Sequence, residues 1–400
     1  MVVIVSALRT AVGKIGGALS TVPPEEFLAT VMNNNLASVG YNSSIVDEVI
    51  IGQTKQSAET PNIARVAALK ARFPVKVTGH TVQMQCGSGL QAVINGIMSI
   101  EIGQSEVVLA GGVESMSQAP YYFVGNRKEL KPGDLTLYDS NTRSQVCSQP
   151  QDLYGTFNMG QTAEWLAEKF EISREEQDLF ALDSQEKALR ALENERFSAE
   201  IVPISVPIGK GESLFFAVDE HPRRSSLEKL SALKPAFKEG GTVTAGNSSG
   251  RNDGAAVLML MSEEKAEKLG LTPLATVKSW AVSGVSPKEM GLGPVSASDK
   301  AIEKAGLTIE EIDLIELNEA FAAQAIACLK RWPEIDRKKV NVNGGGIALG
   351  HPLGCSGARI LVTLLHELQK TKLTYGLATL CIAGGQGIAM VVERWRERKN

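Results

Sequence analysis

Twice along this chain the same order occurs: a small glycine-rich segment, a helical stretch, an apolar strand and a pair of glycines. The first copy runs from Cys86-Gly-Ser-Gly through Leu90 to Ile102 and the strand Val107 to Ala110, and ends in Gly111-Gly112. The second runs from Gly354-Cys355-Ser356-Gly357 through Ile360 to Leu368 and the strand Tyr375 to Ile382, and ends in Gly384-Gly385. Such a repeat predicts a duplicated α/β unit, and 400 residues suit two such halves plus an insertion better than one core.

The first part alternates apolar strands with amphipathic helices. Val2 to Ser6 and Glu48 to Gly52 read as strands, Pro24 to Ser38 and Ile63 to Ala71 as helices, and Gly79 to Gln85 as a further extended run. Strands interleaved with helices predict a largely parallel sheet covered on both faces. Ser117 to Gly241 has a different character, with loop-like Asn126 to Gly133 and Asp139 to Gln151, a polar helix from Ser173 to Asn194 and a basic stretch, Pro222 to Lys238. It reads as an excursion that shapes a substrate site over a rigid scaffold. The expected organisation is an N-terminal half over residues 1–116, completed by about 242–265, a loop domain over 117–241 and a C-terminal half over 266–400.

A net charge of -4 argues against a nucleic-acid binder, and no apolar run reaches the roughly 20 residues needed to span a membrane. The chain starts at once with a strand-like V-V-I-V-S-A, so a cytoplasmic protein without a targeting segment is expected. The five cysteines are scattered and odd in number, which suits free thiols rather than disulfides or a metal knuckle.

Four residues bear on chemistry. His351 lies in Asn343 to Gly357, N-G-G-G-I-A-L-G-H-P-L-G-C-S-G, where glycines interleave with residues that seek burial. That suits a catalytic imidazole on a tight loop, and equally a buried turn with a structural histidine. Cys86 follows a strand-like run and opens a helix, where free N–H groups and the helix dipole lower a thiol pKa; the alternative is a small residue at a crowded junction. Cys381 ends a strand, where ligands bind in open α/β sheets, or is simply a core cysteine. Asn318, after the strand Leu314 to Leu317, either caps a helix or holds a water for an oxyanion, and the adjoining Glu319 reads as structural.

Together these segments resemble the thiolases, the acetyl-CoA acetyltransferases. The resemblance rests on Cys86-Gly-Ser-Gly-Leu-Gln-Ala, Asn318-Glu-Ala-Phe, the G-H-P-x-G-x-S-G motif at His351 and C-I-A-G-G at Cys381. Further matches are R-T-A-V-G-K at Arg9, A-G-G-V-E-S-M-S at Ala110, T-A-G-N-S-S-G-x-N-D-G at Thr244 and M-G-x-G-P at Met290, so nearly the whole chain is covered. The resemblance implies the thiolase fold, α/β with two duplicated halves in αβαβα layers and an inserted loop domain. It implies Cys86 as the nucleophile that carries an acyl group, His351 as its activator, and Cys381 as the acid/base for an α-proton. One oxyanion site would come from His351 with a water held by Asn318, the other from the backbone N–H groups of Cys86 and Ala383.

Ala245, Gly246 and Ser249 match pantetheine contacts, Ala320 and Phe321 the pocket wall, and Met159 and Met290 the acyl pocket. Arg223 and Arg224 are candidates for the CoA phosphates. The implied reaction joins two acetyl-CoA into acetoacetyl-CoA and CoA, or reverses it, with acyl-CoA as substrate, no permanently bound cofactor and no metal, in a homodimer or homotetramer.

The alternatives are a 3-ketoacyl-CoA thiolase of broader chain length in fatty-acid β-oxidation and a non-catalytic acyl-CoA-binding relative. A ketoacyl synthase would lack the second cysteine, and a nicotinamide oxidoreductase would need an acidic residue where Gly111-Gly112 stand. Gln83, Ala383 and Asn158 depart from the family's usual asparagine, glycine and histidine, and Tyr121 to Thr156 resembles it poorly.

Overall fold

The computed structural model describes residues 1–125, 133–209 and 211–396. The expected loop Asn126 to Gly133 therefore lies almost wholly outside the described residues. Nine strands carry the architecture: β1 (Val2–Thr10), β2 (Glu48–Gly52), β3 (Thr78–Val82), β4 (Val107–Ser115), β5 (Asn252–Ser262), β6 (Ala275–Gly284), β7 (Leu314–Leu317), β8 (Tyr375–Ile382) and β9 (Gln386–Arg394). They follow one path, β7-β8-β9-β6-β1-β5-β4-β2-β3, in an 11-stranded sheet with two short strands paired at its side.

The path bends into two packed halves. On the outer face of β1 to β5 lie α1 (Pro24–Ser38) and α2 (Ile63–Lys70), sealed by Phe27, Leu28, Val31 and Ile63. Between the halves run α3 (Ser88–Glu101) and, further along the chain, the helix Leu353–Thr371. Their apolar faces share one core with Ile4, Val108 and Leu258 from the first half and Ala378, Leu380 and Met390 from the second. The outer face of the second half is covered by Gly293–Ala305 and Ala322–Arg331. The result is five layers, helix, strand, helix, strand, helix. No helix among the described residues is long and apolar enough to cross a membrane.

The sheet is mixed, not largely parallel. On the path only β2 with β3, β2 with β4, and β7 with β8 run parallel, and the side strand Ile201–Val202 also runs parallel to β1; the other neighbours on the path are antiparallel. The expectation fails because β8 returns to β9 without a helix. Gly384 and Gly385, at φ of +90° and +89°, make a tight turn that a side chain at either position would strain. Gly111 and Gly112, by contrast, lie inside β4 and do not end it. The two Gly-Gly pairs therefore serve different ends, one a strand crossing and one a hairpin.

The inserted region is less loop-like than its composition implied. Within Asp139 to Gln151 a short helix, α4 (Ser140–Val146), forms because the Asp139 carboxylate accepts from Asn141 N at 2.9 Å and Thr142 Oγ1 at 2.7 Å. Two longer helices follow, α5 (Met159–Lys169) and α6 (Arg174–Glu193). Each is opened by a capping box, Asn158 with Gln161 and Ser173 with Glu176. Asn158, one of the departures from the family pattern, is thus occupied as a helix cap.

Candidate active site

The turn before α3 is set by its own polar groups. Ser88 Oγ accepts from Met84 N at 2.8 Å and donates to the Gln85 carbonyl at 2.6 Å, while Gln85 adopts φ of +47°. A non-glycine residue rarely takes that conformation, and the sharp bend holds Cys86 at the rim of a cleft just ahead of the helix. The backbone N–H groups of Cys86 itself and of Ala383, in the β8–β9 turn, both serve the Cys86 sulfur. Two chain segments nearly 300 positions apart therefore aim donors at one point.

The expected low thiol pKa is not what this environment produces. Helical structure begins only at Ser88, and burial outweighs the two amide donors and the charge of Lys55, pushing the Cys86 thiol up to about 11. Cys381 is 1% exposed, and burial together with its neighbours Cys86 and Cys328 raises its thiol well above the usual range. Both sulfurs rest as thiols at neutral pH and need a partner to take a proton.

His351 supplies one. Ser356 Oγ donates to the Pro352 carbonyl at 2.9 Å, so its oxygen accepts from His351 Nδ1, 2.5 Å away. That fixes the proton on Nδ1 and leaves Nε2 as an acceptor, to which Asn318 Nδ2 donates at 3.4 Å. Burial and the nearby Arg359 hold the imidazole pKa down at about 3, so it rests neutral. Its backbone is fixed as well, with His351 N donating to Asn252 Oδ1 at 3.0 Å.

Asn318 does not cap a helix, since the following helix is opened by Phe321. Fully buried, it donates its backbone N–H to the Thr379 carbonyl, and its Oδ1 has no hydrogen-bond partner among the described residues. Such an orphaned oxygen suits a water or ligand group beside His351. Glu319 is a brace, accepting from Ser184 Oγ and Asn341 Nδ2, each at 2.7 Å, and from Ile347 N at 3.2 Å, so it ties the histidine loop to α6.

The halves meet here through glycine. A Cβ on Gly89 of α3 would stand 2.7 Å from the Gly354 carbonyl, and one on Gly357 would stand 2.6 Å from Leu90 N. The absence of side chains lets the two central helices touch backbone to backbone, which brings Cys86 and His351 to one cleft.

That cleft has a cavity volume of about 170 Å³ and opens to solvent. Cys86, His351, Cys381 and Ala383 line it together, with Met159, Met290, Ala320, Phe321 and Ser249 on its walls. Asn318 stands behind His351. Ala245, Gly246, Arg223 and Arg224 are not among the lining residues. Arg223 and Arg224 are exposed, the latter paired with Glu193 at 3.1 Å. Gln83 is also exposed and only accepts from Gln85 N at 3.3 Å.

Sequence reasoning missed Ser356 and Asn252, although both lie inside motifs already singled out. It also missed a polar wall of Asn141, Ser144, Gln145, Ser148 and Arg251. No pattern in the sequence pointed to that wall, because it comes mainly from the segment that departs most from the family.

This duplicated fold, with two cysteines and a histidine at the junction of its halves, is the architecture of a Cys/His acyl-transfer enzyme. Residues 2–264 match the thiolase N-terminal domain and residues 271–394 the thiolase C-terminal domain. The chain belongs to the thiolase family. It is 50% identical to the acetyl-CoA acetyltransferase of Pseudomonas aeruginosa, over 98% of this chain and 99% of that one. Among solved structures it resembles the Bacillus anthracis acetyl-CoA acetyltransferase, with a TM-score of 0.93 and 48% identity over 98% of both chains. Human mitochondrial 3-ketoacyl-CoA thiolase is also similar, with a TM-score of 0.93 and 41% identity over 99% of each chain.

Proposed function

We propose that this chain is an acetyl-CoA C-acetyltransferase, which condenses two acetyl-CoA into acetoacetyl-CoA and CoA and runs the reverse thiolysis through an acyl group on Cys86. The observation that carries this reading is the convergence of two sulfurs, Cys86 and Cys381, and the His351 imidazole on one cleft. A binding protein has no need of a second buried thiol there.

The resting protonation states give a balanced sequence. His351 Nε2 takes the Cys86 proton, and the sulfur attacks the acetyl carbonyl of acetyl-CoA. Cys381, an acid because burial raises it, gives its proton to the departing CoA sulfur, leaving acetyl-Cys86 and a Cys381 thiolate. That thiolate is a strong base and removes the α-proton of a second acetyl-CoA. The resulting carbanion attacks acetyl-Cys86, and the Cys86 sulfur leaves and recovers its proton from His351.

The charge on each oxygen meets prepared donors. Protonated Nε2, with a water on the Asn318 amide, serves the thioester oxygen of the carbanion, and the N–H groups of Cys86 and Ala383 serve the tetrahedral oxygen. Removing such a donor typically costs about 10²- to 10³-fold. CoA enters and leaves as substrate, and no permanently bound cofactor takes part.

We place residues 1–116 with about 242–265 in one catalytic half, 266–400 in the other, and 117–241 in the loop domain that receives CoA. The protein works in the cytoplasm as a homodimer or homotetramer, a reading supported by family membership. The test is CoA-dependent cleavage of acetoacetyl-CoA by the wild type and by Cys86→Ala. Activity in the first and its loss in the second is expected; equal rates would remove Cys86 from the mechanism.

A further inference from the structure

The cleft has two unlike sides. Met159, Met290, Phe237 and Phe321 form an apolar side suited to a plain hydrocarbon. Asn141, Ser144, Gln145 and Ser148 also line the cleft, as does Arg251, whose side chain is 42% exposed. An acetyl group asks nothing of such a surface.

Two cations belong to it. Arg251 meets a carboxylate only at 3.8 Å, Asp139, whose oxygens already cap α4, and its other contact is the Thr142 hydroxyl at 3.4 Å. Its guanidinium keeps donors for something else. Behind the wall lies Lys55, 6% exposed, whose ammonium donates to Ser144 Oγ at 2.6 Å and the Ser140 carbonyl at 3.1 Å. Among the described residues no carboxylate pairs with it.

The nearby Glu114 carboxylate is engaged elsewhere, accepting from Thr54, from Lys55 N at 2.9 Å and from Gly354 N at 2.8 Å. A buried ammonium without a bonded counter-ion is costly, and its field reaches the cleft through Ser144.

We infer that this wall recognises the far end of the acyl chain, and that the site takes 3-oxoacyl-CoA thioesters whose acyl group ends in a carboxylate, with Arg251 pairing to that carboxylate and Lys55 supporting it through Ser144. This inference rests on the thiolase reading of the same site and names its substrate class. Thiolysis of such a substrate is balanced as before: the bond between its second and third carbons breaks, acetyl-CoA leaves, and the acyl group passes through Cys86 to CoA with its terminal carboxylate unchanged. The CoA phosphates do not compete for this wall, because they sit at the far end of the pantetheine arm from the reacting sulfur, whereas Arg251 lines the same cleft as Cys86.

The test compares thiolysis of 3-oxohexanoyl-CoA with that of its counterpart carrying a terminal carboxylate. The wild type is expected to favour the carboxylate in kcat/KM by about tenfold or more, the range of a charge-assisted hydrogen bond. Arg251→Leu is expected to reverse that ratio, Arg251→Lys to keep part of it, and Lys55→Met to reduce it less than Arg251→Leu. No preference in the wild type, or an equal loss on both substrates in Arg251→Leu, would overturn the inference; the second outcome would assign Arg251 to the pantetheine arm.

Binding to Cys86→Ala separates this claim from the catalytic one. Adipyl-CoA should bind at least tenfold more tightly than hexanoyl-CoA whatever the fate of the activity assays, and equal Kd values would overturn it.

Discussion

The floor of the cleft and its polar wall are built on opposite terms. The floor is fixed from several directions at once: a strained turn at Gln85, a hairpin at Gly384-Gly385, a backbone contact at Gly89 and Gly357, and a histidine held at Nδ1 and at its main chain. The wall hangs from one short helix, α4, and two cations with few partners. The difference teaches where this molecule has room to vary. Chemistry that needs a sulfur, a base and oxyanion donors at one point leaves little freedom, whereas the acyl end can be reshaped one side chain at a time.

Substitutions in the floor should therefore cost most. Cys86→Ala should lower kcat for acetoacetyl-CoA thiolysis by roughly 10⁴- to 10⁶-fold, the loss expected when a covalent nucleophile is removed. A fall of less than tenfold would mean that another group carries the acyl chain. His351→Ala should cost about 10²- to 10⁴-fold and slow iodoacetamide alkylation of Cys86 as well, because one imidazole serves as its base. Unchanged alkylation would separate the two residues.

Legibility in the sequence followed the same division. That Cys86, His351 and Cys381 would come to one cleft, with Asn318 beside the histidine, was legible because their motifs are compact. The strands β2, β7 and β8 were readable to the residue, since each is a short apolar run with clear ends. Three expectations failed for physical reasons. Strand direction depended on a hairpin where a helix-connected crossover was expected. The low thiol pKa depended on a helix terminus at Cys86, but the helix begins only at Ser88 and desolvation outweighs the two amide donors. Asp139 to Gln151 read as loop because its composition is polar, yet one carboxylate cap suffices to start α4. The polar wall was invisible because Lys55, Asn141 and Arg251 lie far apart in sequence and form no pattern until the chain folds.

Smaller effects sharpen the contrast. Gly89→Ala should lower the thermal unfolding midpoint, with overpacking against the Gly354 carbonyl costing roughly 1–3 kcal/mol. An unaltered midpoint would show that the two central helices can separate freely. Ser356→Ala should reduce kcat about 5- to 10-fold with KM nearly unchanged, since it removes one hydrogen bond that orients His351. The least disruptive probe is pH. With the Cys86 thiol up at about 11 and His351 down at about 3, the resting pair is thiol and neutral imidazole. In His351→Ala, where no imidazole takes the proton, the thiolate, and with it the alkylation rate of Cys86, should rise by roughly tenfold per unit between about pH 7 and 9. A rate independent of pH in that variant would show that another group takes the Cys86 proton.

The division of labour between the two sulfurs is tested most directly by mass spectrometry of Cys381→Ala after incubation with acetyl-CoA. The account predicts one acetyl group on the peptide containing Cys86 and almost no acetoacetyl-CoA in solution, with α-proton exchange from acetyl-CoA abolished. Condensation at the wild-type rate, or undiminished α-proton exchange from acetyl-CoA, would contradict it.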